Sequence, residues 1–231
     1  MQTRTTARVV GLLYITATAA GVASVGLLEP ANSAEAGAVL DPDRTTLGAL
    51  MILVMAAAIA MIPPVLYPVL KQQSEALGLG YLVSRTLEVV LILPGAVGPL
   101  ILAGASLGPD GTALVRSYTG WGHPVSSVFF CLSVAILNAL LFRGRLVPRV
   151  ISAWALLAVV PYLVDGGLVL FGQLTTTSTA HWLLVVPLAV NEMVLAFWLL
   201  IRGFRTPAVS AAQEGVSRQA ADSVARVPSG S

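Results

Sequence analysis

"LGALMILVMAAAIAMIPPVLYPVL", residues 47–70, contains no charged side chain from end to end. Wound as a helix at 1.5 Å per residue it would be about 36 Å long, enough to cross a hydrocarbon core of roughly 30 Å. A barrel strand would instead need about ten residues of strict in–out alternation, and this run has none. In a bilayer the backbone must satisfy its own hydrogen bonds, which a helix does within one segment. The rest of the chain has the same character. It is 56% hydrophobic and only 10% charged, with a mean hydropathy of +0.85. A soluble domain carries about a quarter charged residues, so this chain has too few polar side chains to coat a water-facing surface. The composition defines an all-α integral membrane protein.

Working outward from 47–70, six apolar runs predict six spans: 9–28, 47–70, 76–103, 125–142, 150–171 and 181–201. Pro63, Pro64, Pro68, Pro94, Pro99 and Pro161 fall inside these runs. They are expected to kink or end helices locally.

The flanking charges set a direction. Arg4 and Arg8, Lys71, the "RGRLVPR" connection and the closing "RGFR" alternate with connections poor in basic residues. The first of the latter, "EPANSAEAGAVLDPDR", holds four acids and one arginine. By the positive-inside rule both termini are cytoplasmic. Trp121 and Trp182 then fall at the outer edge, and Trp154 and Trp198 near the inner one. The first span also has the basic start, apolar middle and small residues of a secretory signal, but its run is long enough to span. Residues 206–231 are polar and without periodicity, and read as a disordered cytoplasmic tail.

The pI near 9.0 does not point to nucleic acid, because the basic residues sit at span ends rather than in a patch with interleaved aromatics. Cys131, the single cysteine, lies in an apolar run and reads as a small buried hydrophobe. There is no G-x-S-x-G, no phosphate-binding "GxxxxGK[ST]", no dinucleotide glycine fingerprint and no aspartate-rich pair for magnesium. No cofactor is therefore expected. His123 and His181 fall at outer span ends and read as interfacial side chains. With Asp165 they could make three metal ligands, but no H-x-x-x-H or paired spacing supports it, and no metal site is assigned.

Four phrases in order carry a family resemblance: "GLLYITATAAG", "VLYPVLKQQSEALGLGYLVSRTLEVVLIL", "NALLFRGRLVPRVISAWALL" and "NEMVLAFWLLIRGF". Together they resemble the bacterial domain-of-unknown-function family 4386, over roughly residues 8–205. The most specific part is carried by Tyr67, Pro68, Leu70, Lys71, Gly80, Tyr81, Arg85 and Glu88. The resemblance implies a six-helix protein of the bacterial cytoplasmic membrane and no particular reaction.

The candidate site comes from the charges inside the spans. Arg85 lies nine residues into the third span and Glu192 nine residues from the end of the last, each about 14 Å from the inner boundary. Glu88 is three residues beyond Arg85 and so on nearly the same helix face. Charged groups near the bilayer centre cost at least about 2.5–3.5 kcal/mol each on insertion scales, so they meet one another or a wet cavity. The expectation is a cluster in which Arg85 bridges Glu88 and Glu192, with Asn191 beside it. Asp165, about 22 Å up the fifth span, would add to it from the outer side. Tyr14, Tyr67 and Asn138 are candidates for further lining. Glu192, Asp165 and Glu88 are the candidate acid–base groups, and Arg85, Asn191, Tyr67, Tyr14 and Asn138 the candidate binding groups.

A carboxyl group in an apolar cavity suits proton transfer to a lipophilic, isoprenoid-like molecule. The same cluster would serve a small transporter as proton relay or substrate site, a homodimer supplying the half that a short chain lacks. It could also merely pin helices in a structural membrane partner.

Overall fold

The computed structural model describes residues 3–33 and 40–205; the expected tail at 206–231 lies outside the described residues. These residues form seven helical segments: α1 (Thr3–Ser33), α2 (Pro42–Leu70), α3 (Glu75–Ile92), α4 (Pro94–Gly104), α5 (Pro109–Arg143), α6 (Arg149–Leu170) and α7 (Thr179–Ile201). Segments α3 and α4 together make one span, Glu75–Gly104, so six helices are long and apolar enough to cross a membrane.

Local chemistry sets the helix ends. Asp41 caps α2, its carboxylate accepting from the backbone N–H groups of Asp43 and Arg44. Ser74 caps α3 through Leu77 N–H, and Ser178 caps α7 through His181 N–H. Gly172 and Gly203 follow α6 and α7 at φ 66° and 73°, a left-handed conformation that favours glycine. Of the prolines expected to bend or end helices, Pro94 begins α4 at the α3–α4 break, while Pro63, Pro64, Pro68, Pro99 and Pro161 stay inside helices.

The packing order closes a ring. α1 packs on α2, α2 on α3, α3 on α5, α5 on α6, α6 on α7, and α7 returns to α1. α4 covers one end, against α2 and α5. Lipid-facing helices gain little from hydrophobic association, so close backbone approach at small residues matters more. Gly11 of α1 is such a point: a Cβ there would stand 2.6 Å from Ala196 O of α7. Gly122 of α5 likewise lies against Leu91 O of α3. The burial pattern suits a membrane. Val22, Leu114, Val150, Leu157 and Leu183 point outward, while Ser84, Arg85, Glu88, Ser133, Asn138 and Asp165 are buried.

Arg4, Arg8, Lys71, Arg143, Arg145, Arg149, Arg202 and Arg205 collect at one end, whereas Arg44 and Arg116 lie toward the other. At the basic end Gly203 lies against Arg4 and Ala7, Arg205 N–H donates to Leu146 O at 2.8 Å, and the Gln73 side chain packs on Gly144. The beginning of α1 and the end of α7 therefore share an end with the α2–α3 and α5–α6 connections.

The largest departure from the sequence expectation is α5. The run at 125–142 was expected to hold the span, yet the helix starts at Pro109. Its first half, "PDGTALVRSYTGWG", has the glycines and charges of a loop. It is helical because it has α4 and α3 to pack on: Gly98 meets Thr119, and Gly122 meets Leu91. His123 is thus inside a helix rather than at a helix end.

Candidate functional site

The ring's centre is polar. Arg85 leaves α3 with its side chain 2% exposed, and its Nη1 donates to both carboxylate oxygens of Glu88, each at 3.1 Å. The i, i+3 spacing puts the two side chains on one face. Nη2 reaches Glu192 Oε1 on α7 at 3.2 Å. In the ring order α3 and α7 are opposite staves, so this contact crosses the bundle rather than joining packed neighbours.

Aromatic rings surround the guanidinium: its carbon lies 5.2 Å from the Phe130 centroid, 5.9 Å from Tyr81 and 6.0 Å from Tyr14. At these distances the ring faces attract the cation and exclude water from it. Arg85 Nε and the Tyr81 hydroxyl are buried without a well-aligned hydrogen bond among the described residues, and the Tyr81 hydroxyl lies against Tyr14 and Arg85.

Beside the cluster is a cavity of about 460 Å³, to which all seven helices contribute. Its walls are mostly apolar, with Ile52, Met55, Ile59 and Leu91 among them, and its polar groups include Arg85, Glu88, Glu192, Tyr14 and Tyr162. That is the size and character of a small-molecule site. Glu192 keeps 20% exposure on this wall, against 5% for Glu88. Glu192 is the more accessible carboxylate.

The sequence-derived candidates divide. Arg85, Glu88, Glu192 and Tyr14 meet at the cavity. Asn191 is buried but turned to α6, where its Nδ2 donates to Ile151 O at 2.9 Å. Adjacent helix residues point about 100° apart, so Asn191 cannot share the face of Glu192. Tyr67 lies at the basic end with its hydroxyl 3.3 Å from Glu75, away from the cavity. Asn138 bonds back to Val134 O within its own helix and does not line the cavity. Asp165 is not a member of the Arg85 cluster either; its carboxylate contacts His181 Nδ1 at 2.9 and 3.0 Å.

Sequence reasoning missed the wall supplied by α5: His123, Ser126, Ser127 and Phe130. Their spacing of i, i+3, i+4 and i+7 is that of one helix face, a signal that exists only once the helix is extended back past residue 125. Tyr162 of α6, its ring centroid 4.9 Å from that of Phe130 at a tilt of 56°, was also missed.

Fold and site together define a multi-pass helical membrane protein with a buried guanidinium–carboxylate centre on the wall of a cavity. The chain belongs to the family described as "Domain of unknown function (DUF4386)", which matches residues 9–203. Comparison with curated proteins and with solved structures gives no match.

Proposed function

We propose that this protein is an intramembrane enzyme that takes a lipophilic small molecule into the ring cavity and moves a proton to or from it through Glu192. The basic end would face the cytoplasm. The observation that carries this reading is the Arg85–Glu192 contact, which spans the ring and borders the cavity. Helix glue alone would need only packed neighbours.

Charge counting adds support. One guanidinium faces two carboxyl groups, so the cluster is neutral when one proton is shared between the carboxyls. That proton is what a bound alkene or epoxide would need. Arg85 then holds the remaining carboxylate charge, and the Phe130 and Tyr14 rings on the cavity wall could stabilise positive charge developing on the substrate. Glu192 is the proton donor or acceptor, Glu88 the fixed counter-ion, and Arg85 the residue that positions both.

The test is mass spectrometry of small molecules that co-purify with the wild type and with Glu192→Gln. A lipophilic species that differs in mass or unsaturation between the two preparations supports catalysis. The same species in both points instead to the runner-up, a transporter that opens and closes the cross-ring ion pair. No bound species in either would remove the support for a lipophilic ligand.

A further inference from the structure

A second cluster lies toward the end of the bundle remote from the basic connections, on three successive staves of the ring. His123 comes from α5, Asp165 from α6 and His181 from α7, and one ligand atom from each lies within 4.8 Å of the others. We propose that these three residues form a divalent-cation site, with zinc the best-fitting ion. This inference stands independently of the role given to Glu192.

The donor set is the first argument. Two imidazoles and a carboxylate are ligands zinc accepts readily, and three protein ligands leave a fourth position open for water or substrate. Zinc bonds of about 2.0–2.2 Å put tetrahedral donors about 3.3–3.5 Å apart. The Asp165–His181 contact is already closer than that, and His123 needs only a small side-chain shift to join. The His123 and His181 rings stand 5.9 Å apart at 77°, edge to face.

Burial is the second argument. Asp165 is 1% exposed within an apolar helix, and the ion pair it makes is with His181. Buried charged groups are paired or coordinate a metal ion. A dication between Asp165 and the two histidines would meet that requirement.

Local structure holds the three in register. Ser178 fixes the first turn of α7, where His181 sits. Gly166 brings α6 against Ser127 of α5, one turn from His123, so that Asp165 can face the α5 histidine. Asp165 and His181 lie behind the cavity, whereas His123 is on its wall. The open coordination position would therefore face the cavity past His123. An ion there would offer a Lewis acid or an activated water at the opposite end of the cavity from Arg85.

The full-length protein in detergent, stripped with chelator and titrated with zinc chloride, tests this through metal content per chain and thermal melting. About one zinc per chain and a raised melting temperature are expected in the wild type. His123→Ala removes a ligand with an exposed side chain, so the variant should fold, with zinc affinity reduced at least about tenfold. Asp165→Asn should lose binding as well, while Glu192→Gln should keep it. Cobalt in place of zinc should give the intense visible bands of a four-coordinate site in the wild type and not in His123→Ala. Absence of saturable zinc binding in the wild type, or unchanged affinity in His123→Ala and Asp165→Asn, overturns the site. Loss of stability in Asp165→Asn without zinc binding in the wild type would make the pair a structural contact between α6 and α7.

Discussion

Arg85 Nη2 meets Glu192 Oε1 at 3.2 Å across the full width of a six-helix ring, between residues 107 positions apart in sequence. Neither residue's helix packs to any extent on the other's; α3 rests on α2 and α5, and α7 on α1 and α6. The two opposite walls are therefore joined through charge rather than through packing. An ion pair of that kind reports on the width of the cavity, and any ligand entering between α3 and α7 must either fit beside it or displace it.

The orientation prediction rests on the gathering of the basic connections at one end. Tags placed after Arg145 and after Arg205 should be cytoplasmic, and a tag at Thr176 external, by reporter fusions or by labelling of introduced cysteines. Labelling of Thr176→Cys from the cytoplasmic side alone would reverse the assignment.

A second prediction concerns the far end of α1. Pro30 lacks an N–H, so the carbonyl of Gly26, four residues back, has no helical donor. Arg44 from α2 fills that vacancy, its Nη2 donating to Gly26 O at 2.9 Å and its Nε to Leu27 O at 3.2 Å. Arg44→Ala should lower stability by roughly 1 kcal/mol, seen as a shift in detergent melting. Pro30→Ala combined with Arg44→Ala should recover part of the loss, because the helix then supplies its own donor. No recovery in the double variant would show that Arg44 acts elsewhere.

Run length and depth made most of the fold and half of the site legible in the sequence. Six spans follow from six apolar runs. The common depth of Arg85 and Glu192 follows from the helical rise applied to each run. Depth says nothing about rotation around the helix axis, however, and Asn191 and Asn138 fall on faces that miss the cavity, while Tyr67, three residues from the end of α2, lies at the basic end. The partnership of Asp165 with His181 depends on how the α6–α7 turn aligns the two helices, which no spacing rule encodes. His123 was obscured for a different reason: the first half of α5 is polar and glycine-rich, and it becomes helical through tertiary packing on α3 and α4.

Close helix approach gives a third prediction. Within α1, a Cβ at Gly11 would meet the backbone oxygen of Ala196 at 2.6 Å and Leu200 Cγ at 2.8 Å, whereas one at Gly26 would meet nothing within 4 Å. A backbone oxygen cannot rotate away, so Gly11→Ala must push α1 and α7 apart. The expected loss is about 1–3 kcal/mol. Gly26→Ala should be neutral or slightly stabilising, since alanine is the better helix former by about 1 kcal/mol. Equal melting temperatures for the two variants would show that the α1–α7 seam is looser than this contact implies.

The last prediction concerns the cross-ring pair itself. Arg85→Leu leaves the carboxyl groups of Glu88 and Glu192 facing an apolar interior without their cation. They must take up protons or draw in water, and breaking a buried pair in this way costs roughly 3–5 kcal/mol. Glu192→Gln alone should cost less, because Arg85 retains both contacts to Glu88 and the amide oxygen can still accept from Nη2. In the double variant Arg85→Leu with Glu192→Gln, one stranded carboxylate is gone. The combined loss should therefore be smaller than the sum of the single losses. The measurement is a double-mutant cycle on unfolding free energy in detergent, where a coupling of at least about 0.5 kcal/mol marks direct interaction. Adding Glu88→Gln to the double variant should recover more, since no uncompensated charge then remains in the ring. Strict additivity between Arg85 and Glu192 would mean that the two do not meet in the folded protein, and the cavity would lose the polar wall on which the proposed chemistry depends.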